Sequence, residues 1–83
     1  MPVPAISKRF GLVVRDRRTA TGITQEELAE RAGLHPTYVS MVERGVRNPT
    51  LDVAARIAKA LKAELPRLIE EAQGQKAVKG RKL

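Results

Sequence analysis

The chain lacks cysteine and contains one histidine, one tyrosine and one phenylalanine among its 83 residues. Without cysteine there is neither a disulfide framework nor thiol chemistry, and a single histidine cannot supply the usual zinc frameworks. A chain of this length buries only about 60% of its unfolded surface, which leaves room for one modest core and little for a deep substrate cavity. These absences argue against most classes of enzyme and predict one small domain.

Long hydrophobic runs are also missing, since the longest spans three residues, as at 12–14. A membrane span needs about 20 apolar residues and a signal-peptide core about 7–15, so we expect neither and predict a cytoplasmic protein. The hydrophobic fraction of 42% comes mostly from Ala, Leu, Val and Ile. This composition favours helices over the aromatic and β-branched runs of a sheet.

The positive charge is concentrated at the C-terminal end. The net charge is +7, and residues 74–83 contribute four basic side chains and no acidic one. This segment has two glycines and no apolar periodicity, so we divide the chain into a folded domain at 1–73 and a basic, disordered tail at 74–83. Non-specific attraction of the tail to phosphate is the alternative role.

Apolar residues at helical spacing, together with start and stop residues, predict five helices. Four glycines each follow such a stretch, where a left-handed residue commonly ends a helix: Gly22, Gly33, Gly45 and Gly74. Thr24 and Glu27 form the capping-box pattern that begins the second helix at about Gln25. Thr50 caps a fourth helix, whose inward residues are expected to be Leu51, Ala54, Ile57, Ala58 and Leu61.

The third helix is expected to start at Pro36, because the missing N–H of proline has no partner in a first helical turn. His35 is then the capping residue, and Val39 and Val42 point inward. The second and third helices are joined by only three or four residues, so they cross steeply, as in a helix-turn-helix. This corner alone fits DNA binding and a purely structural role equally well.

Four groups of residues between positions 22 and 61 make the corner more specific: Thr24-Gln25-Glu26-Glu27-Leu28-Ala29, Gly33-Leu34, Val39-Ser40 and Glu43-Arg44-Gly45. Together they resemble the Cro/repressor-type (XRE) helix-turn-helix family. The resemblance implies an all-α, five-helix, lambda-repressor-like DNA-binding domain. The continuation from Glu43 to Leu51 and the short chain look most like the controller proteins of restriction-modification systems.

The outer face of the third helix is the surface expected to enter the major groove. In this register Pro36, Thr37, Ser40 and Met41 face the base edges, and a solvated helix face is the alternative for Thr37 and Ser40. Related proteins often carry Arg or Gln where this chain has Pro36, which can make no paired bonds to a base. Specificity should therefore depend more on Thr37, Ser40 and Arg47.

Residues around this helix are expected to hold the DNA backbone. The resemblance implies a phosphate clamp at Gln25, at the amino end of the second helix. Arg44, Arg47 and Asn48 flank the end of the third helix and offer donors to phosphates or to the groove edge, with plain surface charge as the alternative for the arginines. Tyr38 either reaches the backbone with its hydroxyl or packs at the rim of the core.

The resemblance also implies a largely buried ion pair between Arg18, late in the first helix, and Glu43, late in the third. Glu43 would then be structural, although it lies on the DNA-facing helix, where an unpaired acid would repel phosphate. His35 is expected to be a capping residue rather than a metal ligand, because no second histidine or cysteine is present.

One helix-turn-helix reads only a few base pairs, so useful specificity normally needs two copies about 34 Å apart. The fifth helix, beginning near Glu64, carries an apolar stripe that we assign to a homodimer interface: Leu65, Leu68, Ile69 and Ala72. The alternative is that this stripe closes the core of the single chain.

We therefore predict a sequence-specific transcriptional regulator that binds a roughly palindromic double-stranded operator as a homodimer, in the cytoplasm and on the nucleoid. A restriction-modification controller is the preferred subtype, and an antitoxin or a phage-type repressor is the alternative with the same fold. A protein-interaction adaptor without DNA binding is the alternative of a different class. We expect no catalysis, cofactor, metal, membrane or small-molecule ligand, since His35 lacks a carboxylate partner and Ser7 and Ser40 lie in no nucleophile elbow.

Overall fold

A computed structural model describes residues 2–81, with side chains as far as Gly74. Within that range the chain forms five α-helices and no strand: α1 (Ala5–Thr21), α2 (Gln25–Ala32), α3 (Pro36–Glu43), α4 (Leu51–Ala60) and α5 (Leu65–Arg81). The predicted all-α, five-helix class is confirmed. No helix in the described residues is long and apolar enough to cross a bilayer.

Local capping residues set most helix ends. The Thr24 hydroxyl accepts a hydrogen bond from the Glu27 N–H at 3.0 Å, and the Glu27 carboxylate accepts one from the Thr24 N–H at 2.8 Å. α2 ends at Gly33, whose φ of 71° is easily adopted only without a side chain. Thr50 begins α4 by accepting from the Val53 N–H at 3.1 Å.

The prediction that Gly74 ends the fifth helix is wrong, because α5 continues through it to Arg81. An interior glycine costs a helix about 1 kcal/mol, and the good helix formers Gln75, Lys76 and Ala77 follow it. The proposed division into a domain at 1–73 and a basic tail at 74–83 stays a prediction, and the tail's side chains beyond Gly74 lie outside the described residues.

The core lies where α1 packs against α3 and α5, and where α2 packs against α3 and α4. The largest of its fully buried side chains come from all five helices: Val13, Val14, Leu28, Val39, Val42, Ile57 and Leu68. Leu51 corrects the prediction for α4, since it is 79% exposed. It is the first residue of that helix, before the turn that reaches the core.

More of the apolar stripe of α5 packs into the chain's own core than the sequence predicted. Leu68 and Ala72 are fully buried against the chain's own core, so they have no surface to offer a partner and the interface prediction is wrong for them. Arg9 holds α5 in place by donating from Nε to the Ala72 carbonyl at 2.8 Å. Leu65 and Ile69 are only half-buried and keep exposed apolar surface.

α1 and α3 approach each other closely at Gly11. A Cβ added there would collide with the carbonyl oxygen of Val42, a backbone atom that cannot rotate away. Gly11 lies inside a helix, so its role is to let the two backbones meet and not to supply an unusual φ. The contact fixes the distance between α1 and the helix that carries the predicted base-reading residues.

We predict that Gly11→Ala lowers the free energy of unfolding by about 2 kcal/mol, because the added Cβ forces α1 and α3 apart. At an open helical position the same substitution would be stabilising by about 0.5–1 kcal/mol. Urea unfolding followed by circular dichroism measures the difference. Leu12→Ala, at a neighbouring side chain that is 46% exposed, is the control and should change stability by about 0.5 kcal/mol. A Gly11→Ala protein as stable as the parent would contradict the close approach.

Candidate nucleic-acid interface

α2 and α3 form a tight corner joined by residues 33–35. The chain turns at Gly33, and the Leu34 N–H then bonds back to the Ala29 carbonyl at 2.8 Å. His35 Nδ1 accepts a hydrogen bond from the Thr37 N–H at 3.1 Å, which caps α3 at its first residue, Pro36. The single histidine of the chain is therefore occupied in starting the helix that follows the corner.

α3 separates its residues cleanly into an inner and an outer face. Val39 and Val42 are fully buried. On the other side Thr37 is exposed, and Pro36, Ser40 and Met41 are half-buried at the surface. At 100° per residue, Thr37, Ser40, Met41 and the exposed Arg44 share an arc of about 100°. Of the residues expected to read bases, Thr37, Ser40 and Met41 thus lie together on one accessible strip, the outer strip, whereas Pro36 lies about 40° outside it.

The loop after α3 is held by two contacts that sequence reasoning did not identify. The Ser7 hydroxyl donates to Asn48 Oδ1 at 2.6 Å, which ties the loop to α1 and leaves the amide nitrogen of Asn48 free to donate. The guanidinium carbon of Arg47 lies 5.4 Å from the centroid of the Tyr38 ring, a cation–π distance. Tyr38 is half-buried and packs on the core, so its ring lies between the core and the Arg47 guanidinium.

Arg18 and Glu43 form the ion pair that the family resemblance implied. Arg18 Nε donates to Glu43 Oε2 at 2.6 Å and Nη2 donates to Oε1 at 3.1 Å, while Nη1 donates to the Ile23 carbonyl at 2.9 Å. The Glu43 side chain is only 2% exposed. Its hydrogen bond raises the pKa of the Arg18 guanidinium above the usual value, against a lowering by burial. Arg18 therefore keeps its charge, and its contacts join α1, α3 and the loop before α2.

Gln25, the predicted phosphate clamp, is attached to this pair. Its Nε2 donates to Glu43 Oε1 at 2.9 Å. One amide hydrogen and the amide oxygen of Gln25 stay available, so the contact to Glu43 orients the side chain without using it up. The assignment of Gln25 as a phosphate clamp stays a prediction. The structure adds that the contact with Glu43 holds the Gln25 side chain in one orientation.

A small cleft of about 290 Å³ opens beside Gln25, between the last turns of α1 and the outer strip of α3. Its lining residues are mostly cationic or hydrogen-bonding: Arg15, Arg18, Gln25, Ser40, Glu43 and Arg44. Arg15 had no predicted role, although it stands three residues before Arg18, a spacing that puts both on one face of a helix. Since Glu43 neutralises Arg18, the charges left for a ligand are Arg15 and Arg44.

Known proteins similar to this chain share the same corner. The helix-turn-helix family matches residues 14–68. Control protein C.SmaI of Serratia marcescens is 45% identical over 67 residues, which cover 81% of this chain and 79% of that protein. Two uncharacterised helix-turn-helix regulators of Mycobacterium tuberculosis are 44% identical over 52 residues, and there the chain spans 37% of the relative.

Solved structures agree in fold. The restriction-modification controller protein C.AhdI of Aeromonas hydrophila superimposes with a TM-score of 0.75 and 43% identity, over 78% of this chain and 98% of that one. The clp gene regulator ClgR of Corynebacterium glutamicum gives a TM-score of 0.85 at 32% identity, over 95% of this chain and 84% of that one. The similarity extends beyond the corner to most of the chain.

We predict a large coupling energy between Arg18 and Glu43. In a double-mutant cycle with Arg18→Met and Glu43→Gln, each single variant leaves a largely buried charge without its opposite charge, so the coupling should reach about 2 kcal/mol or more. The exposed pair of Asp52 and Arg56, 3.8 Å apart, is the control and should give below about 1 kcal/mol. Urea unfolding of the variants supplies both values. Equal coupling in the two pairs would contradict a structural role for the buried one.

Proposed function

The chain belongs to the helix-turn-helix family, and from that premise we propose that it regulates transcription as a homodimer on DNA. In this proposal α3 of each protomer enters the major groove of one half of a roughly palindromic operator. The function needs no cofactor and no catalytic step, and we assign it to the cytoplasm, on the nucleoid. Two copies are required because one short helix reads only a few base pairs.

The outer strip of α3 is the observation that carries this proposal. Among the described residues, no intramolecular hydrogen bond uses the hydroxyl of Thr37 or Ser40. Both can therefore bond to a base or a phosphate, and the Thr37 and Met41 side chains can also make apolar contact with a thymine methyl group. Arg47 stands beside this strip, and its contact with Tyr38 limits the positions that its guanidinium adopts.

Backbone contacts would come from the cleft beside Gln25. The N-terminus of α2, where Gln25 lines the cleft, carries a partial positive charge that suits a phosphate oxygen, and Glu26 and Glu27 in the same turn offset part of it. Arg15 and Arg44 add full charges, and Ser40 and Gln25 add neutral donors. This set would position the duplex, while Thr37 and Arg47 would distinguish its sequence.

We further propose that the regulated genes belong to a restriction-modification locus, often including the regulator's own promoter. The 45% identity with C.SmaI and the 43% identity with C.AhdI support this subtype. The fold itself does not select the target, because the clp gene regulator ClgR shares it. DNA binding separates this controller role from an adaptor, and the genes beside the operator separate it from an antitoxin or a phage-type repressor.

Selection from a pool of random duplexes, followed by sequencing, tests the DNA proposal. We expect two related half-sites about 10 base pairs apart, centre to centre. Binding to the selected duplex should weaken steeply between 50 and 200 mM salt, roughly a thousandfold or more, as counterions are released. An adaptor would select no motif and show no such salt dependence on any duplex.

Variants should then separate sequence reading from backbone contact. Thr37→Ala and Arg47→Ala should lower the ratio of specific to non-specific binding, by about 5- to 100-fold, because they remove base contacts. Gln25→Ala and Arg15→Ala should weaken both kinds of binding alike, and Arg15→Ala should also reduce the salt slope by about one. Fluorescence anisotropy on the selected and a scrambled duplex measures each ratio. The opposite ordering of the two groups would overturn the assignments.

The dimer proposal depends on the apolar surface that α5 keeps outside the core. Ile69→Glu should give a monomer in sedimentation velocity and halve the protected region in a footprint, because the new charge is desolvated at the interface. Gln73→Glu, at an exposed position of the same helix, is the control and should stay dimeric. A dimer of Ile69→Glu at unchanged stability would place the interface elsewhere.

A further inference from the structure

A groove of about 700 Å³ lies between the C-terminal ends of α2 and α4. Four cationic side chains form its rim: Arg31, Arg56, Lys59 and Lys62. Ala32 and Ala60, both largely buried, lie at its floor, and the Arg56 guanidinium lies near Gly33 at the end of α2. The volume is in the range of clefts that bind ligands.

The positive charge of this groove exceeds what the fold uses. Arg31 and Lys59 lie in the last turns of α2 and α4, where they offset partial charges of about −0.5 at each helix end. Glu30 is the only acidic lining residue. Of the four cations only Arg56 has an acidic partner among the described residues, and its pair with Asp52 is exposed and long, at 3.8 Å. With Glu30, Asp52 and the two helix ends set against the four cations, about one positive charge is left without compensation.

Lys62 is positioned at the edge of the groove by the backbone that ends α4. Its φ is 57°, and among the described residues it is the one non-glycine with a positive φ. It stands just after the end of α4, a position that glycine occupies without steric cost. The Lys62 side chain forms no hydrogen bond or ion pair with the described residues and instead lines the groove. The positive φ ends α4, because it lets the N–H groups of Lys62 and Ala63 bond to the carbonyls of Lys59 and Ala58, both at 2.9 Å.

We propose that this groove binds an acidic segment of another protein, one that carries an aliphatic side chain beside its carboxylates. The cationic rim suits the carboxylates, and the aliphatic stems of its arginine and lysine side chains suit an apolar group that a DNA backbone does not have. The chain's own C-terminal segment has the wrong sign, since residues 74–83 are basic. The partner is therefore acidic, partly apolar and foreign to this chain.

The groove and the proposed DNA surface are separate parts of the molecule. The groove contains no residue of α3 and shares no lining residue with the cleft of Arg15, Gln25, Ser40 and Arg44. α3 packs against α1 and α2, whereas α4 packs against α2 and α5. A regulator held on its operator could thus engage an acidic partner at the same time, so this inference goes beyond the proposed function and does not require it.

The test uses the full chain and a fluorescent synthetic peptide of about 14 residues, which is mostly Glu with Leu at helical spacing. A peptide in which Lys replaces every Glu is the negative control. We expect anisotropy to show binding of the Glu peptide alone. The double variant Arg56→Glu/Lys59→Glu should weaken binding at least tenfold, because two attractive contacts become repulsive. Arg67→Glu, an exposed charge reversal on α5 outside the groove, should leave it unchanged.

Lys62→Gly separates binding from folding. Glycine removes the backbone strain, so this variant should melt at the same temperature as the parent or higher, while its peptide affinity falls about two- to fivefold.

An equal loss of peptide affinity in Arg67→Glu would reveal general charge attraction and overturn the proposal. Loss of DNA affinity in the Arg56→Glu/Lys59→Glu variant would make the groove part of the DNA surface, and a Glu peptide that causes the chain to self-associate would assign it to a second copy. Either result would also reject the proposed partner, whatever the outcome of operator selection.

Discussion

The buried contact between Arg18 and Glu43 is the constraint on which the rest of the structure depends. It joins the end of α1 to the end of α3, and through the Ile23 carbonyl it also fixes the loop before α2. Three elements that are distant in sequence thereby share one anchor. Val39 and Val42 bury the inner face of α3, but apolar packing has little directional preference. The ion pair, with its fixed geometry, specifies how α3 is rotated and which strip it presents.

The same contact resolves a conflict between folding and DNA binding. A carboxylate at the end of the DNA-facing helix would repel phosphate if it were exposed, and Glu43 is instead enclosed and neutralised. It then orients Gln25 at the start of α2, next to the cations of Arg15 and Arg44. One group thus acts as the structural lock of the corner and as the support of the proposed phosphate site. Gly11 complements it by fixing the distance between the same two helices.

Local chemistry in the sequence was enough to predict the corner. It was not enough to predict how the helices pack against one another. The capping box at Thr24 and the proline after His35 act within a few residues, so their effects can be read directly. An apolar stripe such as that of α5 shows only which face is buried, not whether the chain itself or a partner covers it, and Leu68 proved to be core. The contact of Ser7 with Asn48 joins residues far apart in sequence, and no local pattern indicates it.

The absence of cysteine permits a direct test of where DNA lies on the protein. A single cysteine introduced by Met41→Cys, carrying an iron chelate that cleaves nearby DNA, places the cleavage reagent on the outer strip of α3. The account predicts strand cleavage centred within each half-site of the selected operator, and none when the reagent is carried by Lys59→Cys. Cleavage from position 59 with none from position 41 would contradict the claim that α3 enters the groove.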